Sequence, residues 1–184
     1  MANAGDTGNT TPIPRYLPEW ELPPYTYVPG RAPHPIADPA GHSYGRTITF
    51  AAAPESSDWR DCPDYLYGID LFNHGYYWEA HETWEAVWVA AGRRGPVADF
   101  LKGLIKLAAA GVKCREGSQA GVGRHARRAE ALFWSVQDAI QTETYFGLRL
   151  DDLLHFCEIA ASTSADPAPD GRPQIVFNFR LMPR

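Results

Sequence analysis

The run from Glu79 to Glu85 concentrates side chains that can bind a metal ion or move a proton. It reads Glu-Ala-His-Glu-Thr-Trp-Glu, so three carboxylates and one imidazole fall within two helical turns. His81 and Glu85 are four residues apart and share a helix face. Zinc proteases use HExxH, with a second histidine where this chain has Glu85. One helix can therefore supply two ligands, and a metal site needs others from elsewhere.

Other polar residues of this segment lie near its apolar stripe. On a helical wheel of about 100° per residue, Asp70, Asn73 and His81 fall inside or at the edge of the stripe, and Glu79 falls nearly opposite. A polar group in a core destabilises the fold unless it finds a partner. We therefore expect hydrogen-bond partners for the first three. A large effect of Glu79→Ala would indicate a second buried contact, with the N-terminal part of the chain.

A second histidine, His125, lies on the apolar face of another predicted helix. We expect His81, Glu85 and His125 to meet in one polar cluster that binds either a small ligand or a divalent metal ion, for which Zn, Mn and Fe are suitable. The wider polar cluster adds three residues of the first predicted helix: Asn73, Glu79 and Glu82. A metal-free version pairs His81 with Glu85 for acid–base chemistry. Two alternatives stay open: a non-catalytic interaction or structural module with a buried hydrogen-bond network, and two separately satisfied core histidines.

Proline separates the chain into three parts. Of its 16 prolines, Pro96 alone lies within residues 64–162, and proline is disfavoured inside helices. The sequence therefore predicts a Pro- and aromatic-rich extended arm over residues 1–63, a helical bundle over 64–162, and a linker and strand over 163–184. Because its arm is rich in tyrosine and tryptophan, we expect residues 15–45 to be docked on the helices or on a partner subunit.

The predicted fold is mainly α, an antiparallel bundle of about four to five helices. Apolar periodicity predicts helices over residues 64–91, 96–115, 118–142 and 151–161, and short loops favour antiparallel neighbours. Alternating residues predict strands at 46–51 and 174–182, which we expect to pair as a small ribbon.

Composition excludes several classes of protein. The 17 Lys and Arg against 22 Asp and Glu give a net charge of −5, which argues against nucleic-acid binding. No long apolar run suggests a membrane span. The three cysteines show no disulfide or zinc spacing, which favours a cytoplasmic protein. Helix faces or the arm could support a homo-oligomer.

The pattern LFNHGYYWEAHETWEAVW, followed by FLKGLIKLAAAGVKC, resembles the family called domain of unknown function 309. The resemblance covers residues 66–135. The positions that match are Asn73, Glu79, His81, Glu82, Glu85, Trp88, Gly103, Leu104 and Ile105. Lys106 departs from the usual glutamine, and Ser118 stands where asparagine is frequent. The resemblance implies an all-helical bundle without an established activity.

Overall fold

Five helices and one small sheet form the main elements of the computed structural model, which describes residues 13–46, 55 and 58–184. The helices are α1 (Pro63–Asn73), α2 (Tyr77–Ala90), α3 (Gly95–Arg115), α4 (Gln119–Ile140) and α5 (Leu150–Ser162). A short 3₁₀ helix, Trp59–Asp61, precedes α1. Consecutive helices pack against each other. The predicted mainly helical bundle is confirmed.

The prediction of one continuous helix over residues 64–91 is wrong, because the chain breaks at Gly75. Gly75 has a φ of +84°, in the left-handed region. The N–H groups of Gly75 and Tyr76 donate to the carbonyls of Phe72 (3.1 Å) and Leu71 (2.9 Å). This is the pattern that closes a helix at a left-handed glycine. A helical wheel drawn through the break therefore gives α2 an incorrect phase.

The other three helices lie within two residues of their predicted ends. Glycines on α3 let aromatic rings of neighbouring helices approach its backbone. A Cβ atom on Gly103 would lie 2.5 Å from the ring of Phe133, and one on Gly111 would lie 2.5 Å from the ring of Tyr77. A larger residue at either position would overpack the core.

The two-stranded sheet is present but is formed by other residues than predicted. Strands β1 (Thr144–Tyr145) and β2 (Leu148–Arg149) pair antiparallel before α5. Phe146 and Gly147 connect them with positive φ values of 50° and 73°, as a two-residue hairpin turn requires. Each strand has two residues, which is too short for the alternation of a strand to show in the sequence.

The predicted ribbon strand over residues 174–182 is not a strand in the structure, and most of its predicted partner, 47–51, lies outside the described residues. Phe177, Phe179 and Leu181 are buried as the alternation implies, whereas Ile175 is 43% exposed. The rings of Phe177 and Phe179 stack on Phe72 at centroid distances of 6.0 and 6.1 Å. Side-chain packing, and not a β ladder, explains the alternation.

The N-terminal arm, residues 15–45, runs over α1 and α2. The ring of Trp20 packs on Tyr67 with centroids 5.1 Å apart, and the Tyr67 hydroxyl donates to the Glu21 carbonyl at 2.7 Å. The Tyr16 hydroxyl donates to the carbonyl of Pro183 at 3.1 Å. The arm therefore contacts both the helices and the C-terminal segment.

Candidate functional site

Asp70 holds the beginning of the N-terminal arm. It lies on α1 and is fully buried. Its two carboxylate oxygens accept hydrogen bonds from the backbone N–H groups of Tyr16 (2.8 Å) and Leu17 (2.9 Å), and Arg15 lies 3.5 Å away. Charged hydrogen bonds of this kind are stronger than neutral ones. Asp70 therefore fixes where the arm meets the helix.

Asn73 holds the C-terminal segment in the same way. Its side-chain amide donates to the Leu181 carbonyl at 2.8 Å and accepts from the Leu181 N–H at 2.9 Å. The residue is 2% exposed, so water does not replace these bonds. One asparagine thus satisfies both backbone groups of Leu181, as a neighbouring strand would.

Glu79 is buried by the arm, on the side of α2 away from the helical core. Its carboxylate accepts from the Thr26 hydroxyl at 2.6 Å and from the Tyr27 N–H at 2.8 Å. His42 Nε2 lies 3.4 Å from the same carboxylate. The helical wheel placed Glu79 opposite the stripe, and it missed the burial because the arm supplies a second buried surface. Glu79 is 5% exposed.

His81, Glu82 and Glu85 form a separate group on α2. One potential ligand atom from each lies within 4.8 Å of the other two. His81 Nε2 is 3.7 Å from Glu85 Oε2, and the two side chains are 27% and 48% exposed. An imidazole and two carboxylates at such distances are able to ligate a divalent cation.

Burial together with neighbouring negative charge distinguishes Glu82. Burial, with further contributions from Glu85 and Glu79, raises the pKa of Glu82 to about 7. For His81, burial lowers the pKa, and Lys106 lowers it as well, while Glu85 opposes them. His81 is therefore largely neutral at neutral pH, as a metal ligand must be.

His125 lies on α4, outside the His81–Glu82–Glu85 group. Its buried Nδ1 atom has no hydrogen-bond partner among the described residues. Burial and then the charges of Lys106, Arg124, Lys113 and Arg128 lower its pKa to about 4. The structure thus brings together two of the three predicted metal ligands and adds Glu82, while ligation by His125 stays a prediction.

Lys106 on α3 lies close enough to both histidines to affect them electrostatically. Its charge influences the pKa of both His81 and His125. Burial, Lys102 and Arg128 lower the pKa of Lys106, and Glu85 raises it. In the sequence, Lys106 is notable only as a departure from the glutamine that is usual in the family the chain resembles. The structure shows that this departure puts a cation beside the carboxylates of α2.

A cavity of about 390 Å³ lies between the arm and the first two helices. Its wall includes three aromatic and four acidic residues: Trp20, Tyr67, Trp78, Glu21, Asp64, Glu79 and Glu82. Glu82 therefore belongs both to the His81–Glu82–Glu85 group and to the cavity wall. Asp64 was not among the site residues predicted from the sequence. The aromatic residues of the arm were the signal that could have indicated a cavity beneath them.

Comparison with known proteins agrees with the resemblance seen in the sequence. Residues 65–124 match the family described as Domain of unknown function (DUF309). This segment covers α1 to the beginning of α4 and contains the motif on α2. No relative was found among curated proteins. Within the described residues, every helix is too short or too polar to cross a membrane.

Proposed function

We propose that the DUF309 segment of this protein binds a divalent metal ion through His81, Glu82 and Glu85. The observation that carries the proposal is the approach of one imidazole nitrogen and two carboxylate oxygens to within 4.8 Å of one another. All three come from two turns of α2. A rigid helix is a more precise support for such a site than a loop.

Distances in the group suit a small cation. Two ligands that each lie about 2.0–2.2 Å from a tetrahedral zinc ion are about 3.3–3.6 Å apart. The 3.7 Å between His81 Nε2 and Glu85 Oε2 is close to that separation. The other ligand atoms of the group lie at most 4.8 Å apart, so the side chains would rotate to bring them closer around an ion.

Charge also favours a cation here. Burial raises the pKa of Glu82 most, and repulsion by the carboxylates of Glu85 and Glu79 raises it further. A bound divalent ion would relieve this repulsion and hold all ligands in their deprotonated forms. With one nitrogen and two oxygen donors, Zn, Mn and Fe are the suitable ions. Three protein ligands would leave a coordination position for water or substrate, which is typical of catalytic and not of structural zinc sites.

Isothermal titration calorimetry with ZnCl₂ and MnCl₂ tests the proposal on the tag-free full chain. We expect wild-type binding to weaken at least about tenfold in Glu85→Gln. Glu158→Gln is the matched control, because Glu158 also pairs with a histidine on its own helix, His155, at 3.3 Å. Equal affinities in wild type and Glu85→Gln, or no binding to wild type, would overturn the proposal.

A second function, that of a structural or interaction module, is supported by a different part of the motif. Asp70, Asn73 and Glu79 use their side chains to hold backbone groups of the arm and the C-terminal segment. On this alternative the whole motif orients chain segments and binds no ion. The calorimetric experiment separates the two, since a purely structural motif gives no heat of metal binding in any variant.

A further inference from the structure

The cavity beneath the N-terminal arm has walls of two kinds. Trp20, Tyr67 and Trp78 contribute aromatic surface, and Asp64 and Glu82 contribute carboxylates. Its volume of about 390 Å³ is enough for a small molecule, since ligand sites typically measure about 300–1,000 Å³. We propose that this cavity binds a small organic ammonium ion whose charge is balanced by Asp64 and Glu82.

The charges of the cavity wall determine the class of ligand. Glu79 is already engaged by Thr26, Tyr27 and His42. Among the described residues that line the cavity, Arg46 is the one Lys or Arg, and it is exposed at the end of the arm. The exposed Glu21 brings the carboxylates of this lining to four, so a ligand meets more carboxylates than cations.

Asp64 and Glu82 lack counter-ions. Both are half-buried, and in the described part of the chain neither forms an ion pair. Burial raises the pKa of the Asp64 carboxyl, and no neighbouring cation opposes that shift. A carboxylate that is partly removed from water gains from a cationic partner. An ammonium group supplies that partner and donates hydrogen bonds, which the carboxylate oxygens accept.

Aromatic walls suit the rest of such a ligand. Trp20 packs on Tyr67, and Trp78 contacts Tyr27 at a centroid distance of 5.3 Å, so these rings are held in place. Ring faces attract ammonium groups and pack well on a hydrocarbon or aromatic body. The combination selects an amine with an apolar body over a sugar, a carboxylate or a phosphate.

This inference does not depend on metal binding, although Glu82 belongs to both sites. Asp64 lies on α1, outside the His81–Glu82–Glu85 group. Substitution of Asp64 therefore tests the cavity without removing a metal ligand. Metal-free protein, prepared with EDTA, keeps the two proposals separate.

Calorimetry with phenethylamine and with the uncharged 2-phenylethanol is the direct test. At about pH 8, where carboxylates are ionised and the amine is protonated, we expect phenethylamine to bind at least about tenfold more tightly than the alcohol. Asp64→Asn should weaken amine binding about five- to tenfold and leave alcohol and Zn²⁺ binding unchanged. The matched control is Asp152→Asn, which removes an exposed acid from the first turn of α5.

Several results would overturn the inference. Equal affinity for the amine and the alcohol would show an apolar cavity without charge selection. Unchanged amine affinity in Asp64→Asn, with a circular dichroism spectrum like that of wild type, would exclude Asp64 as the counter-ion. No binding of phenethylamine at about 10 mM would also contradict it. If the wild-type protein bound phenethylamine but not Zn²⁺, the proposed metal function would be wrong and this inference would still hold.

Discussion

The two polar sides of α2 differ in what surrounds their carboxylates. On one side Glu79 is 5% exposed and its oxygens accept from Thr26 and Tyr27. On the other side the Glu85 side chain is 48% exposed and the His81 side chain 27% exposed. The carboxylates of one short motif thus lie in two different surroundings. Glu79 is enclosed by the arm and stabilises the fold, whereas Glu85 pairs with His81 and stays accessible to solvent.

The largest effect that separates the two sides is expected for Glu79→Ala. The substitution leaves the Tyr27 N–H and the Thr26 hydroxyl buried without an acceptor. A buried group that loses a charged partner costs about 2–3 kcal/mol in the free energy of unfolding. Urea denaturation followed by circular dichroism measures it.

Glu85→Ala is the control for that experiment. Its side chain is about half exposed, so the free energy of unfolding should change by less than about 0.5 kcal/mol. If the two variants were equally stable, the distinction between a structural and a free side of α2 would be lost.

A somewhat smaller effect is expected for Asn73→Ala, which releases the C-terminal segment. Both hydrogen bonds to Leu181 are lost, and we expect a loss of about 1–3 kcal/mol. In this variant the Leu181 amide should exchange its hydrogen faster than in wild type, whereas amides of α4 should exchange at the wild-type rate. Unchanged protection of Leu181 would contradict the assigned role of Asn73.

Glu82→Gln should change how stability depends on pH. The folded-state pKa of Glu82 is about 7, above its ordinary value of 4.5. Between these values the folded protein holds a proton that the unfolded chain has released, so the free energy of unfolding falls as pH rises from about 4.5 to 7. The variant lacks this contribution, and its urea midpoint should therefore decrease less than that of wild type between about pH 5 and pH 8. A larger decrease in the variant would contradict the assigned pKa.

The smallest effect is expected for Lys106→Gln. This substitution introduces the glutamine that is usual in the family the sequence resembles, near the side of α2 that carries His81 and Glu85. Lys106 lies close enough to lower the pKa of His81 and to interact with Glu85. Removing its charge should tighten Zn²⁺ binding about two- to fivefold, because a nearby cation opposes a second one. Arg149→Gln, which removes an exposed charge from β2, is the control. Weaker binding in Lys106→Gln would indicate that the lysine assists the site.

Much of the fold was predictable because periodic burial leaves a clear pattern. Helices α3, α4 and α5 each bury one continuous stripe, so their ends were found within two residues. The break at Gly75 was missed because apolar residues continue through it, and a glycine in the left-handed region is invisible to a helical wheel. Apolar residues alternate over 174–182 because Phe177, Phe179 and Leu181 pack into the core. The resulting pattern is the same as that of a half-buried strand.

The candidate site was predicted in part for similar reasons. His81 and Glu85 follow from their spacing on one helix, and the structure places them 3.7 Å apart. The partners of Glu79 lie 52 and 53 residues earlier in the chain, and no local pattern encodes a contact at that separation. His125 shares a buried face with apolar residues, but a wheel of one helix does not give the distance to another helix.

The hydrogen bond between Asn73 and Leu181 has a consequence for synthesis on the ribosome. Leu181 follows Asn73 by 108 residues, and the Tyr16 hydroxyl reaches Pro183 across 167 residues. At about 5–20 residues per second, α1 leaves the ribosome several seconds before its partner exists. Until then the nascent bundle carries an unpaired amide, and the ring of Phe72 lacks its contacts with Phe177 and Phe179. A chaperone that binds apolar surface would therefore bind at α1 during this interval.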